Sequence, residues 1–281
     1  MSLRKLPEIK AFDGLSSLAF EPDESALAKW KPGIHAATEG DDNVISIYDV
    51  IGEDFWTGEG VTSKRIAAAL RKIGSREVTV NMNSPGGDFF EGIAIYNLLR
   101  EHPGKVTVKI MGLAASAASV IAMAGDEVQI SEVGFLMVHN AWAIAVGNRH
   151  DFRDAAATLE PFDDAMAGLY ASRSGADKTE AAAWMDAETW FNGSKAIEAG
   201  LADSLLPASL VSEDTTENTK SLAAVRRVDA ALAKQGLPRS ERRTLLGELK
   251  RGTHDAASHA MHDAGDDWSA SLVDLLKTVK S

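Results

Sequence analysis

At 281 residues the chain holds one sizeable core with room for an appended piece, at roughly 100–200 residues per domain. Hydrophobic residues make up 45% and charged residues 25%, which excludes global disorder and a fibrous repeat. The net charge of −12 argues against a general nucleic-acid partner, and the lack of cysteine excludes a disulfide scaffold, a thiolate zinc site and a cysteine nucleophile.

Residues 1–42 carry Pro7, Pro22 and Pro32 without a sustained period and read as a lead-in segment. The opening MSLRKLPEIKAFDG has no apolar h-region, and no stretch reaches about 18 apolar residues, so neither a signal peptide nor a membrane span is expected. Val44, Ile45, Ile47, Val50 and Ile51 form an apolar run that predicts a buried strand. Thr62 or Ser63 caps a helix with Ile66, Ala67, Leu70 and Ile73 on one face, and Gly74 ends it. Val78 to Met82 predicts a strand, Asn83-Ser84-Pro85-Gly86-Gly87 a turn, and the stretch through Ile93, Tyr96, Leu99 and Arg100 a helix.

The pattern repeats with a strand over Lys105 to Met111, a turn over Gly112 to Ser116 and a short apolar helix over Ala117 to Ala124. Strands over Val128 to Ser131 and Phe135 to His139 follow. Alternating β and α segments predict an α/β domain with a largely parallel sheet. A long helix is predicted over Asp151 to Ser172, Gly175 interrupts it, and Lys178 to Asp186 resumes as helix. A break at Trp190 to Gly193 precedes a helix over Ser194 to Ala199. Ser212 to Lys220 reads as an acidic linker, and the rest as a partly flexible helical tail ending in Leu272, Leu275, Leu276 and Val279.

Two β-α turns of a parallel sheet open on the same edge, so the Gly86-Gly87 turn and Ser116 would face one crevice. A serine at a helix start, near unobstructed backbone N–H groups, is placed for nucleophilic catalysis, although N-capping is the commoner role. Of the seven histidines, His139 alone ends an apolar strand from which it could reach that crevice. His254, His259 and His262 with Asp263 would bind a metal only from a preformed helical site with i, i+4 spacing, and the segment reads instead as low-complexity tail, so no metal or other cofactor is expected.

Four ordered segments resemble the signatures of the ClpP peptidase family: Asn83-Ser84-Pro85-Gly86-Gly87, Gly112-Leu113-Ala114-Ala115-Ser116-Ala117, Met137-Val138-His139, and Trp190-Phe191 with Ala196 to Asp203. The likeness covers about residues 43–207. It implies a ClpP/crotonase-like fold of repeated β-α units, with a handle helix over 151–172, and a peptidase domain at 43–207 between the lead-in and a tail at 208–281. It also implies Ser116 as nucleophile, His139 as base and backbone N–H groups of Gly87 and Ala117 as oxyanion donors. Laying Gly200-Leu201-Ala202-Asp203 on the family pattern puts Glu188 where the family usually has aspartate, with Asp186 in reserve. A glutamate oxygen accepting from Nδ1–H can orient an imidazole as well.

The segment Gly236 to Leu246 resembles the tails of phage or prophage head maturation proteases of ClpP type. That implies a soluble endopeptidase of the host cytoplasm or the prohead interior. Its substrates would be capsid or scaffold proteins, and it would assemble as a ring, possibly stacked, with no nucleic-acid or membrane partner. Four alternatives stand beside it: a Ser/Lys-dyad signal-peptide-peptidase relative, a crotonase-like acyl-CoA enzyme, a degenerate assembly component, and an ATPase-dependent housekeeping peptidase.

Overall fold

In the computed structural model, residues 22–37, 42–53, 60–143, 145, 147–238 and 240–248 are described. The described residues open with helix α1 (Glu24–Lys29), which Asp23 caps by accepting from the Ala26 N–H, and continue through strands β1 (Ile34–Ala36), β2 (Val44–Ile47), β3 (Gly52–Glu53) and β4 (Gly60–Val61). Thr62 caps α2 (Ser63–Ile73) by accepting from Arg65 N–H, Ile66, Leu70 and Ile73 are its buried face, and Gly74 stops it. Strand β5 (Val78–Ser84) leads into α3 (Phe89–Glu101), whose first turn Asp88 caps, and β6 (Val106–Ala115) into α4 (Ala117–Ala122). Strands β7 (Glu127–Ser131) and β8 (Phe135–Met137) precede the long α5 (Arg149–Ser174), then α6 (Lys178–Asp186), β9 (Trp190–Asn192), α7 (Gly193–Glu198) and β10 (Ser204–Leu206). A 3-10 turn over Ala208–Leu210, β11 (Val211–Glu213), α8 (Glu217–Lys234) and a helical segment at 240–248 complete the described chain.

The main sheet runs β10-β7-β6-β5-β2, every pair parallel, as the β-α alternation predicts. β5 and β6 are almost wholly buried, which is why they read as apolar runs without alternation. β6 is long enough to serve two partners. Thr107 to Ile110 pair with β7, and Leu113 to Ala115 pair with β8. The expected turn over Gly112 to Ser116 is therefore corrected: the strand continues to Ala115 and only Ser116 turns. Likewise the break at Trp190 to Gly193 is in part a strand, β9, antiparallel to β8. Three residues are too short for a readable period, and their pairing with β8 supplies the order.

A capping box between Asn148 and Asp151 starts α5, and Gly175 in the left-handed region ends it. Its first twelve residues are mostly exposed, while Phe162, Met166, Leu169 and Tyr170 enter the main core. His102, just after α3, is buried, with Nε2 2.7 Å from the Arg76 carbonyl.

Both flanks pack on this core. β1 pairs antiparallel with β11, so Ser212 and its neighbours are strand and helix, not linker. Ala26 and Leu27 of α1 and its C-cap residue Trp30 join Leu113, Ala115 and Met137 in a second apolar cluster, against which Leu222 and Ala230 of α8 pack. The cluster of His254, His259, His262 and Asp263, and the terminal Leu272 to Val279 stretch, lie outside the described residues.

Candidate active site

The strand-to-helix junction after β6 determines where the nucleophile candidate sits. Ser116 has φ 55° and ψ −127°, a left-handed backbone rare for a residue with a Cβ. Such a conformation costs on the order of 1–3 kcal/mol and persists because its surroundings hold it. Ser116 N–H donates to the Met137 carbonyl, tying the turn to β8. Its side chain makes no capping bond to α4, so the hydroxyl is available elsewhere.

It meets His139. The Nε2 of His139 lies 2.7 Å from Ser116 Oγ, across 23 residues of chain. His139 follows β8 because Val138 N–H donates to the Thr189 carbonyl, which keeps this segment beside the turn after α6. Burial pushes the imidazole below its ordinary value of 6.5, against the charges of Asp23 and then Glu188, which favour the protonated ring.

The two candidate acids stand differently. Glu188 ends the α6 turn at φ 47°, its N–H donating to the Met185 carbonyl, and its exposed carboxylate acts on His139 through charge. Among the described residues no hydrogen bond joins Glu188 to the imidazole, and Nδ1 has no hydrogen-bond partner. Asp186 instead accepts from the Asn140 side-chain amide at 2.8 Å, and its charge is not among those acting on His139.

On the other side of Ser116, the Gly86-Gly87 turn comes close enough that a Cβ on Gly86 would stand 2.6 Å from both the Ala115 carbonyl oxygen and Ser116 Cβ. Gly87 and Ala117 line the same cleft as Ser116 and His139, together with Phe89, Asn140, Ala141, Trp142 and Met166. Among the described residues neither the Gly87 nor the Ala117 N–H has an acceptor, so both can serve an oxyanion.

Sequence reasoning missed several supports. Ser119 Oγ lies 2.6 Å from the Ser116 carbonyl, to which it donates, and 2.7 Å from the Tyr170 hydroxyl. Burial raises the pKa of the Tyr170 hydroxyl far above its ordinary value, so it stays a neutral donor to Ser119. A hydroxyl three residues after Ser116, inside an all-apolar helix, was the available signal for Ser119. Asp163 accepts from Ala141 N–H at 2.6 Å and so ties the segment after His139 to α5. Burial is the main reason its carboxyl is raised. Among the described residues no cluster of three or more His, Cys, Asp or Glu could hold a metal ion, and no helix is long and apolar enough to cross a membrane.

If His139 acts as the base, its Nε2 must be neutral to take a serine proton, and the acid limb of kcat/KM against pH is then expected to fall below 6.5. As pH falls the unfolded chain is the first to protonate this histidine. Its contribution to stability is therefore present above pH 6.5 and lost as pH drops toward the lower folded value. A kcat/KM profile whose acid limb sits above 6.5 would contradict this.

A family model described as Clp protease matches residues 59–209. Among curated proteins, an ATP-dependent Clp protease proteolytic subunit of Bacteroides fragilis is 27% identical over 133 residues, which are 47% of this chain and 64% of that protein. The proteolytic subunit 1 of Leifsonia xyli is 24% identical over 177 residues, 59% of this chain and 90% of that protein. The match spans 60–64% of the length of the first few such relatives. A solved structure, a ClpP1 variant from Listeria monocytogenes, superposes with a TM-score of 0.51 at 18% identity, covering 59% of this chain and 92% of that one. That likeness speaks to the fold.

Proposed function

Because this chain belongs to the Clp protease family, we propose that it is a serine endopeptidase whose nucleophile is Ser116, with His139 as base and Glu188 as the acid. The observation that carries the reading is the 2.7 Å contact between Ser116 Oγ and His139 Nε2, made at a strained strand-to-helix turn beside two N–H groups that have no acceptor among the described residues.

The reaction runs as acyl transfer. Nε2 of neutral His139 takes the hydroxyl proton as Ser116 Oγ attacks a peptide carbonyl, so the resting ring carries its proton on Nδ1. The negative charge that develops on the carbonyl oxygen is met by the N–H groups of Gly87 and Ala117. His139 then returns its proton to the leaving amine, and water repeats the sequence on the acyl-serine. The Glu188 charge stabilises the imidazolium. Asp186, occupied by Asn140, is the weaker candidate.

For the physiological role, the reading is maturation of a phage or prophage head, with capsid or scaffold proteins as substrates and a ring of copies as the active assembly. Support comes from the Gly236 to Leu246 segment and from flanks packed on the peptidase core at 43–207. A second reading, service to an ATPase as a housekeeping subunit, is favoured by the names of the curated relatives. Cleavage of a capsid precursor without ATP favours the first, and degradation that requires an ATPase partner favours the second.

The test of the chemistry is intact-mass spectrometry after exposure to a serine-reactive fluorophosphonate. One adduct on the wild type, formed about tenfold or more slowly in Glu188→Gln, is the expected result. Equal labelling of the two would remove Glu188 from the triad, and no adduct on the assembled wild type would indicate a degenerate assembly component.

A further inference from the structure

Both described flanks converge on the turn that carries Gly87, from outside the stretch matched by the family model. Arg226 of α8 is buried, and its guanidinium grips Asp49 through two bonds, Nε to Oδ1 at 3.0 Å and Nη2 to Oδ2 at 2.6 Å. The Asp49 carbonyl accepts from Ser84 Oγ at 2.6 Å, and Ser84 Oγ in turn accepts from Gly86 N–H at 3.2 Å. Two residues beyond Asp49, Ile51 N–H donates to the Gly86 carbonyl at 2.8 Å, and the Ile51 carbonyl accepts from Asp88 N–H. Segment 49–51 thus holds the turn 86–88 on both sides, and Arg226 holds that segment. From the other flank, Trp30 Nε1 donates to the Asn83 carbonyl, while Asn83 Nδ2 donates to the carbonyls of Lys31 and Ile34.

A buried arginine–carboxylate pair is a poor way to add stability, since apolar residues of similar volume often serve as well or better. What it does add is direction. A bidentate guanidinium sets both the position and the rotation of its carboxylate, and through it the backbone that follows. From this we infer that Arg226 is a positioning residue for the reaction: through Asp49 and Ser84 it sets the Gly86-Gly87 turn so that the Gly87 N–H points where the oxyanion forms. The tail helix then controls the peptidase from a distance, and a partner that pulled α8 away would lower the rate without touching Ser116. This inference rests on the serine-peptidase reading above.

The experiment compares the full-length wild type with Arg226→Met and with the apolar pair Arg226→Met/Asp49→Leu. A fluorogenic peptide gives kcat and KM, fluorophosphonate labelling gives the reactivity of Ser116, and thermal unfolding gives stability. Losing or misplacing one oxyanion donor costs about 10²–10³ in kcat, so Arg226→Met is expected to lose at least about tenfold in kcat with KM within about twofold. Arg226→Met removes the charged partner of a partly buried carboxylate, which keeps its bond from the Val50 N–H, and lowers the unfolding temperature, whereas the apolar pair is expected to recover the temperature but not kcat. Recovery of kcat along with stability would make Arg226 purely structural and overturn the inference, as would wild-type kcat in Arg226→Met. A wild type that neither cleaves nor labels removes the serine-peptidase reading and this inference together. A wild type that labels at the same rate as both variants removes the inference alone.

Discussion

Replacing Ser116 by alanine is expected to lower peptide hydrolysis by about 10⁴-fold or more while leaving the fold intact. Both halves of this expectation come from the same turn. Alanine keeps the Cβ, so the backbone strain at φ 55° is present before and after the substitution. The hydroxyl makes no capping bond to α4, and its described partner is His139, so its loss leaves the helix start unchanged. The bracing bonds at this position use backbone atoms: Ser116 N–H to the Met137 carbonyl, and the Ser116 carbonyl with Ser119 Oγ. The assay is cleavage of a fluorogenic peptide by wild type and variant, with thermal unfolding run on the same samples. A variant that keeps more than about a hundredth of the rate would place the nucleophile elsewhere.

Gly86→Ala is expected to be nearly as damaging, by a different route. Gly86 has φ 90°, and the added Cβ would sit 2.6 Å from the Ala115 carbonyl oxygen and 2.6 Å from Ser116 Cβ. Neither neighbour is the end of a flexible chain, so the two β-α turns must separate. Separation moves the Gly87 donor away from Ser116, which predicts a loss of roughly 10²–10³ in kcat, the effect of losing one oxyanion donor. It also adds strain of about 1–3 kcal/mol, and for a domain of this size each kcal/mol lowers the midpoint by roughly 2–4 °C. Gly74→Ala is the control. Its φ of 75° is similarly positive, but a Cβ there meets nothing within 4 Å, so it should lose stability without losing rate. If Gly86→Ala kept kcat and differed from Gly74→Ala in no respect, the close approach of the two turns would have no role in catalysis.

The legible parts of the site share a property. Ser116, the Gly86-Gly87 turn and His139 each stand where an apolar run stops, and a run that stops can be seen in sequence. Glu188 was reached only by laying a motif ending on the chain, and the structure brings its charge, though not its hydrogen bond, to His139. Strand β9 carries no strand signal in the sequence because three residues show no period. β11 resembles a linker in the sequence because a polar, surface ribbon has no apolar face to betray it.

The central β-α units, the parallel sheet that their alternation requires and the two turns at its edge are legible in the sequence. These follow from local spacing, because the period of apolar residues dictates which face of each element must be buried. Only the tertiary structure decided the polar pairings: His139 with Ser116 across 23 residues, Ser119 with Tyr170 across 51, and Arg226 with Asp49 across 177. A polar side chain carries no spacing signal for a distant partner. Its hydrogen bond becomes worth making only when packing has removed water from both groups, so that leaving either unpaired costs more than joining them.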